Sequence, residues 1–254
     1  MTLNNKVVVI TGGNGYVGRT VARRMAEQGA RVFVLVRRKL EEAQAMLDSL
    51  PNTQLQHQAL LVDIKHSELL EQASQTVKQQ AGRCDILINA AGVAFHRPIM
   101  ELTEKQFDES IAVNLKGTWF ATTAFYPLLK ESGDGLVVNI TSLASVKPRA
   151  PNLIYAIGKS GVNMMTQVFT SLGPEVRFVA IAPSMLPELT SGYPYVEKEQ
   201  KHLDPQHIQD YINNTPIQRL CTADDIADVV ESLATKIKFY NGRVMVLDGG
   251  GGVV

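Results

Sequence analysis

Tyr155 and Lys159 stand four residues apart, a spacing that brings both side chains to one face of a helix. A tyrosine hydroxyl ordinarily titrates near pH 10, too high for easy proton exchange at neutrality. A neighbouring ammonium favours the phenolate and lowers that value. Such a pair can give a proton to a carbonyl oxygen, or take one from an alcohol, as a hydride moves. The spacing alone is cheap in a chain with seven tyrosines, so the surroundings decide. Ser142 precedes Tyr155 by thirteen residues and follows the apolar run Gly135–Thr141. Asn89-Ala90-Ala91-Gly92 closes a second such run, Asp85–Ala90, and Asn114 lies in a long helical stretch.

A different chemistry is written near the start. Thr11-Gly12-Gly13-Asn14-Gly15-Tyr16-Val17-Gly18 follows the run Lys6–Thr11, and Gly13, Gly15 and Gly18 fit G-x-G-x-x-G between a strand and a helix. One glycine permits the tight turn, which we assign to Gly15. One lets the backbone approach a pyrophosphate, and one lets helix pack on strand. The helix N-terminus then offers unpaired N–H groups to the phosphates. A glycine-rich turn that binds nothing is the bland alternative. At the end of the second strand come Val36, Arg37 and Arg38, with no carboxylate before Glu41. An acidic residue there would take the ribose 2′-hydroxyl of NAD. A guanidinium fork instead suits a 2′-phosphate, so Arg37 and Arg38 favour NADP(H), with Arg37 the contact, over two merely solvated arginines.

These residues need a frame, and the alternation of patterns supplies one. Strands are expected at Lys6–Thr11, Arg31–Val36, Gln54–Val62, Asp85–Ala90, Gly135–Thr141, Val176–Ala182 and Gly242–Leu247. Helices are expected at Tyr16–Gln28, Leu40–Leu50, Ser67–Gln80, Thr103–Leu129, Tyr155–Leu172 and Thr222–Leu233. Thr103 with Gln106 has capping-box spacing, and Thr222 can cap the last helix. Strands alternating with helices imply βαβ units. The expectation is an α/β chain: one doubly wound Rossmann domain over 1–254, a seven-stranded parallel sheet with helices on both faces. Residues 184–219, rich in proline and tyrosine, form a long excursion with a short helix at Asp204–Asn213, and long loops in compact domains are usually functional.

Together, Ser142, Tyr155-x-x-x-Lys159, the glycine turn and Asn89–Gly92 make the chain resemble the short-chain dehydrogenase/reductase family, in its branch of about this length. The likeness runs from the glycine turn to Asp248–Gly250. It implies Tyr155 as general acid/base and Ser142 as the group that hydrogen-bonds the reacting oxygen. Lys159 would hold the nicotinamide ribose and lower the tyrosine's pKa, and Asn114 would support a water-linked relay through a helix kink. It also implies a cofactor shell of Gly12, Asn14, Gly15, Tyr16, Val17, Arg37, Arg38, Asp63, Ile64, Asn89, Ala90, Ala91, Gly92, Tyr155, Lys159, Pro183 and Met185. Asp63 would touch adenine.

Two positions depart from the family pattern: Tyr16 stands where a glycine is usual, and Ser184 replaces the glycine of Pro-Gly. The turn spacing is also found in the longer branch, which includes sugar-nucleotide epimerases. The function the resemblance implies is an NADP(H)-dependent oxidoreductase interconverting a carbonyl and an alcohol, more readily a ketone or 3-oxoacyl reductase. The alternatives are a non-catalytic NADP-binding regulator and, behind it, an epimerase. The family's dimer packs two long helices per subunit, matching Glu104–Leu129 and Asn152–Leu172. Val113, Leu115, Phe120, Val162 and Met165 supply apolar surplus there, so a dimer or homotetramer is expected.

Composition narrows the classes. Lys+Arg and Asp+Glu are both 25, giving no net charge, which removes the basic footprint of nucleic-acid binders and the charge-driven case for a membrane surface. No apolar run approaches a membrane span, and no signal peptide is read, so the cytoplasm is the expected compartment. Cys84 and Cys221 are too few for a disulfide framework. His96 has no second ligand at metal spacing, so no metal is expected. Tyr193 and Tyr195 line a substrate site or simply pack the excursion. Lys147 and Arg149 attract an acidic substrate or sit in a solvated loop. The substrate is expected to be a small molecule.

Overall fold

In the computed structural model, residues 3–95, 98–147, 152–187 and 204–252 are described. Short β-branched runs become seven strands: β1 (Val7–Thr11), β2 (Arg31–Val36), β3 (Gln58–Leu61), β4 (Ile86–Asn89), β5 (Gly135–Ile140), β6 (Val176–Pro183) and β7 (Arg243–Leu247). They pair in parallel throughout, in the order β3-β2-β1-β4-β5-β6-β7. Every residue of β1, β4, β5 and β6 is buried, as a parallel sheet covered on both faces requires.

The helices are α1 (Tyr16–Glu27), α2 (Leu40–Asp48), α3 (Ser67–Ala81), α4 (Glu104–Ile111), α5 (Thr118–Glu131), α6 (Leu153–Val168), α7 (Pro205–Asn213) and α8 (Ala223–Thr235). Side chains alternate across the sheet. Val8, Ile10, Val34, Ile88, Val138 and Val179 therefore pack with Val21 and Met25 of α1 and Ile226 and Val230 of α8. Val9, Phe33, Leu87, Val137 and Phe178 face the other way, onto Leu70 of α3, Phe125 and Leu129 of α5 and Val162 of α6.

Capping follows the expected chemistry. The Thr103 hydroxyl accepts from Gln106 N–H (3.3 Å) while the Gln106 side chain accepts from Thr103 N–H (3.1 Å). Thr222 and Asp225 do the same at α8. Asp204 caps α7 by accepting from Gln206 N–H.

Three expectations are corrected. The helix expected over Thr103–Leu129 is interrupted by a π-helical turn, Ala112–Gly117, between α4 and α5. There Asn114 points inward and exchanges two hydrogen bonds with the Val93 backbone (2.7 and 3.1 Å). The third strand is shorter than Gln54–Val62, because Asn52 and Gln56 take left-handed backbone angles around a 3-10 turn at Thr53–Leu55. Finally, Val113, Val162 and Met165, read as apolar surplus, are buried in the subunit's own core, and Leu115 and Phe120 pack against it. The exposed large apolar residues of these segments are Phe107, Trp119, Leu153, Ile157, Met164, Val168 and Leu172.

A buried polar file crosses the interface between sheet and helices. Asn89 on β4 and Asn139 on β5 are register neighbours. Asn89 Nδ2 donates to Asn139 Oδ1 (2.8 Å) and Thr122 Oγ1 (3.2 Å). Asn139 Nδ2 donates to Thr166 Oγ1 on α6 (2.9 Å). Buried polar groups are costly to leave unpaired. Asn139→Ala strips Asn89 of one partner and cuts the tie to α6. The variant should lose about 1–3 kcal/mol in urea unfolding, with its m-value unchanged.

Candidate active site

In a doubly wound sheet, the crevice lies at the carboxyl ends of strands where the order reverses, here between β1 and β4. Gly12 makes that crevice possible. Its φ is +66°, and a Cβ would lie 2.8 Å from Ala91 Cα, so only glycine fits both the angle and the approach. The expectation that Gly15 supplies the turn is therefore corrected: Gly15 has φ −76° and is the extended N-cap of α1, which no side chain caps. Gly13 packs against Val34, and a Cβ on Gly18 would meet Gly13 Cα at 2.8 Å. Tyr16, in place of a family glycine, is the first residue of α1, with the Arg19 guanidinium 5.8 Å from its ring.

The crevice is a cleft of about 620 Å³, open to solvent. Gly12, Asn14, Gly15, Arg37, Asp63, Ile64, Ala90, Ala91 and Gly92 line it, joined by Leu35, Val62, Val93 and Val113. Sequence marks none of the last four as cleft residues, and the expectation for Val113 is a subunit interface instead, because nothing distinguishes a core-type residue as cleft wall. Other candidates stand apart from the lining. Asn89 is turned into the polar file, Val17 packs against the α1 side of the core, and Arg38 accepts Asn14 Nδ2 on its backbone carbonyl (3.3 Å). Pro183 ends β6, and the next residue, Ser184, donates its N–H to Leu247 of β7. Met185 follows, half-buried.

At the inner end, Ser142 lies two residues past β5. Its hydroxyl accepts from Ala144 N–H (3.2 Å) and is hydrogen-bonded to the Tyr155 hydroxyl. Burial pushes the Tyr155 phenol up to about 12, and the Ser142 bond partly opposes this. Lys159, buried on α6, donates from Nζ to the Ile140 carbonyl at 2.8 Å. Burial lowers this ammonium to about 8. Its Nζ lies 5.8 Å from the Tyr155 ring centre. The expectation that Lys159 lowers the tyrosine's pKa is thus corrected for this state: burial and the Ser142 bond move the phenol, and one of the three ammonium donors is turned to a backbone carbonyl. Asn114 is fully buried, donating also to Ser110 Oγ (3.1 Å). A Cβ on Gly92 would lie 3.1 Å from Asn114 Oδ1 and 3.4 Å from Lys159 Nζ, so bare backbone joins the cleft to the lysine.

A nicotinamide dinucleotide fits these residues. The uncapped start of α1 and the glycine turn suit the pyrophosphate, and Gly92 leaves open the approach to Lys159. At the outer end, Glu109 of α4 joins Arg37 (Nη1–Oε1, 3.2 Å) to Lys65 (Nζ–Oε2, 2.9 Å). Lys65 and Glu109 carry no local motif, and only folding brings them beside Arg37. Asp63 Oδ1 accepts from Lys65 N–H (3.1 Å).

The remaining candidates are placed as follows. Burial pushes both thiols up, Cys221 to about 11. Among the described residues no cluster could hold a metal, and no helix is long and apolar enough to cross a membrane. Lys147 donates to the Gly251 carbonyl (3.0 Å). His96, Arg149, Tyr193 and Tyr195 lie outside the described residues.

Comparison with known proteins agrees with this geometry. A family model described as short chain dehydrogenase matches residues 6–191. The granaticin polyketide synthase ketoacyl reductase 2 of Streptomyces violaceoruber is 30% identical over 251 residues, covering 96% of this chain and 95% of that one. Levodione reductase of Leifsonia aquatica is 29% identical over 259 residues, covering 97% and 94%. The crystal structure of a levodione reductase superposes with a TM-score of 0.86 at 26% identity, covering 99% of each chain.

The lysine provides a direct test. Its ammonium should lose its proton near pH 8, well below an ordinary lysine. An NMR titration of Lys159, assigned by comparison with Lys159→Met, reads this out, and an ordinary titration near 10 would contradict it.

Proposed function

The chain belongs to the short-chain dehydrogenase family and is an oxidoreductase; from that premise we propose that it is an NADP(H)-dependent reductase of a ketone or 3-oxoacyl substrate. The observation that carries the reading is the meeting of Ser142, Tyr155 and Lys159 at the carboxyl end of β5, one glycine away from the nucleotide cleft. When bound, the nicotinamide supplies or accepts the hydride. Tyr155 gives its proton to the carbonyl oxygen. Burial keeps the phenol protonated at neutral pH, the form in which it can act as a donor. Ser142 hydrogen-bonds the same oxygen. Lys159 holds the ribose hydroxyls with the donors not used on Ile140. Asn114 braces the Val93 backbone beside the cleft and supports the relay that returns the proton.

The choice of NADP(H) rests on Arg37, which lines the cleft at the end of β2 where an NAD enzyme would place a carboxylate. The reductive direction and carbonyl class are supported by relatives named as ketoacyl and levodione reductases. A relative named D-threitol dehydrogenase from Mycolicibacterium smegmatis, 29% identical over 251 residues and covering 98% and 93%, leaves polyols within the substrate class.

We read 1–254 as one nucleotide-binding domain and place the protein in the cytoplasm, where two buried free thiols suit a reducing compartment; of the substrate-covering excursion expected over 184–219, residues 188–203 lie outside the described residues. The exposed apolar residues of α4 to α6 support a dimer or tetramer through that face. Light scattering should give at least twice 27.9 kDa, and the mass of one subunit would contradict this.

The mechanism is tested by Tyr155→Phe, which removes one hydroxyl and little packing. Folding and NADPH binding should persist. Single-turnover oxidation of NADPH, with NADH run beside it and an accepted ketone, should slow by about 10²–10⁴-fold. A variant keeping more than about a tenth of the rate would show that Tyr155 is not the donor.

A further inference from the structure

The outer end of the cleft holds an ion cluster that the catalytic reading does not use. Arg37 closes β2, Lys65 follows Asp63 at the end of β3, and Glu109 reaches across from α4. One Glu109 oxygen meets the Arg37 guanidinium at 3.2 Å and the other meets the Lys65 ammonium at 2.9 Å. The three side chains are about equally half-buried, at 32%, 27% and 30% exposure. A carboxylate with one oxygen on a guanidinium and the other on an ammonium occupies the position of an anion bridged by two cations. A phosphate monoester is larger, carries more charge and accepts more hydrogen bonds than a carboxylate, and a guanidinium fork matches it well.

We propose that Glu109 is an internal counter-anion of the cofactor's 2′-phosphate subsite, and that Lys65 is the second cation of that subsite beside Arg37. The inference rests on the NADP(H) reading above. With the phosphate present, Arg37 and Lys65 turn their hydrogen bonds from the carboxylate to the phosphate oxygens, and Glu109 is displaced toward solvent. With an unphosphorylated ribose, Glu109 keeps both partners and nothing is exchanged. Glu109 therefore reduces the preference for the phosphorylated cofactor below what Arg37 and Lys65 would give alone. In the absence of ligand it neutralises charge on both cations, together with the Asp63 carboxylate 3.8 Å from Lys65 Nζ. No bond is made or broken, and the exchange is electrostatic, so it should weaken as salt screens the cluster.

The test uses fragments that isolate the subsite. Adenosine 2′,5′-bisphosphate and adenosine 5′-monophosphate are titrated calorimetrically into the full chain and into Glu109→Gln and Lys65→Met, at low and high salt. Wild type should prefer the bisphosphate. Glu109→Gln should raise that preference about threefold to tenfold, the scale of a partly exposed charge pair, without changing the monophosphate affinity. Lys65→Met should lower the preference by a similar factor. A Glu109→Gln variant with an unchanged or reduced preference overturns the inference while leaving the NADP(H) reading intact. A wild type with no preference overturns the NADP(H) reading and the inference that rests on it, whatever Glu109→Gln does. Circular dichroism of each variant establishes that the fold is retained, and Glu109→Asp, which keeps the charge, should behave more like wild type than like Glu109→Gln.

Discussion

A buried ammonium sets the terms for the rest of this molecule. Lys159 is withdrawn from water, which is costly for a charge unless it is well paired, and the Ile140 carbonyl at 2.8 Å is its protein partner. That carbonyl ends β5, so α6 must sit where its lysine can reach the last residue of the strand. Seven residues on, Thr166 accepts from Asn139, the strand residue before Ile140. Two turns of one helix are thus held to two consecutive residues of one strand. Ser142 leaves that strand and Tyr155 precedes that lysine by one turn, so their hydroxyls meet as a consequence of the tether. The same withdrawal from water keeps the phenol protonated and brings the ammonium close to neutrality.

The nucleotide side is organised by absence of bulk. Gly12 brings the first turn against Ala91, and Gly92 brings the fourth strand's exit against Asn114 and Lys159. Between them runs a channel floor of backbone, along which phosphates and ribose can lie close to N–H groups rather than to side chains. Titratable side chains stand at the two ends: hydroxyls and ammonium inside, guanidinium, ammonium and carboxylates outside. The charge is concentrated at the outer end, where it can discriminate between ribose substituents.

Much of this was legible before folding. The β-branched runs match six strands within one or two residues; for β1, β4, β5 and β6 this is because a strand buried on both faces has no polar alternation to confuse it. The capping pairs at Thr103 and Thr222 were legible because they are local chemistry. The tyrosine and lysine stand out by their spacing, and the family resemblance is what adds the serine and gives all three their roles. What the pattern hid was long-range. The turn glycine was misassigned from Gly12 to Gly15, since G-x-G-x-x-G does not state which φ is positive. The π-helical turn around Asn114 leaves no periodic mark in an apolar stretch. Lys65 and Glu109, 44 residues apart, look like ordinary surface charges until the strands align. The tyrosine's high proton affinity depends on burial, which no spacing records.

The π-helical turn at Ala112–Gly117 has one more effect, on phase. An α-helix advances about 100° per residue, so accommodating one extra residue in a turn rotates everything beyond it by about that angle. The two halves of the rod from Glu104 to Glu131 are therefore out of register with one another. The earlier half turns Phe107 toward α6, where it lines an apolar cavity with Leu153, Ile154 and Ile157. The later half turns Ala121, Phe125 and Leu129 into the sheet. A continuous helix could serve only one of these directions. Losing a single residue from the turn would leave each half well formed and aim one of them at solvent. This segment should therefore tolerate substitutions far better than changes of length.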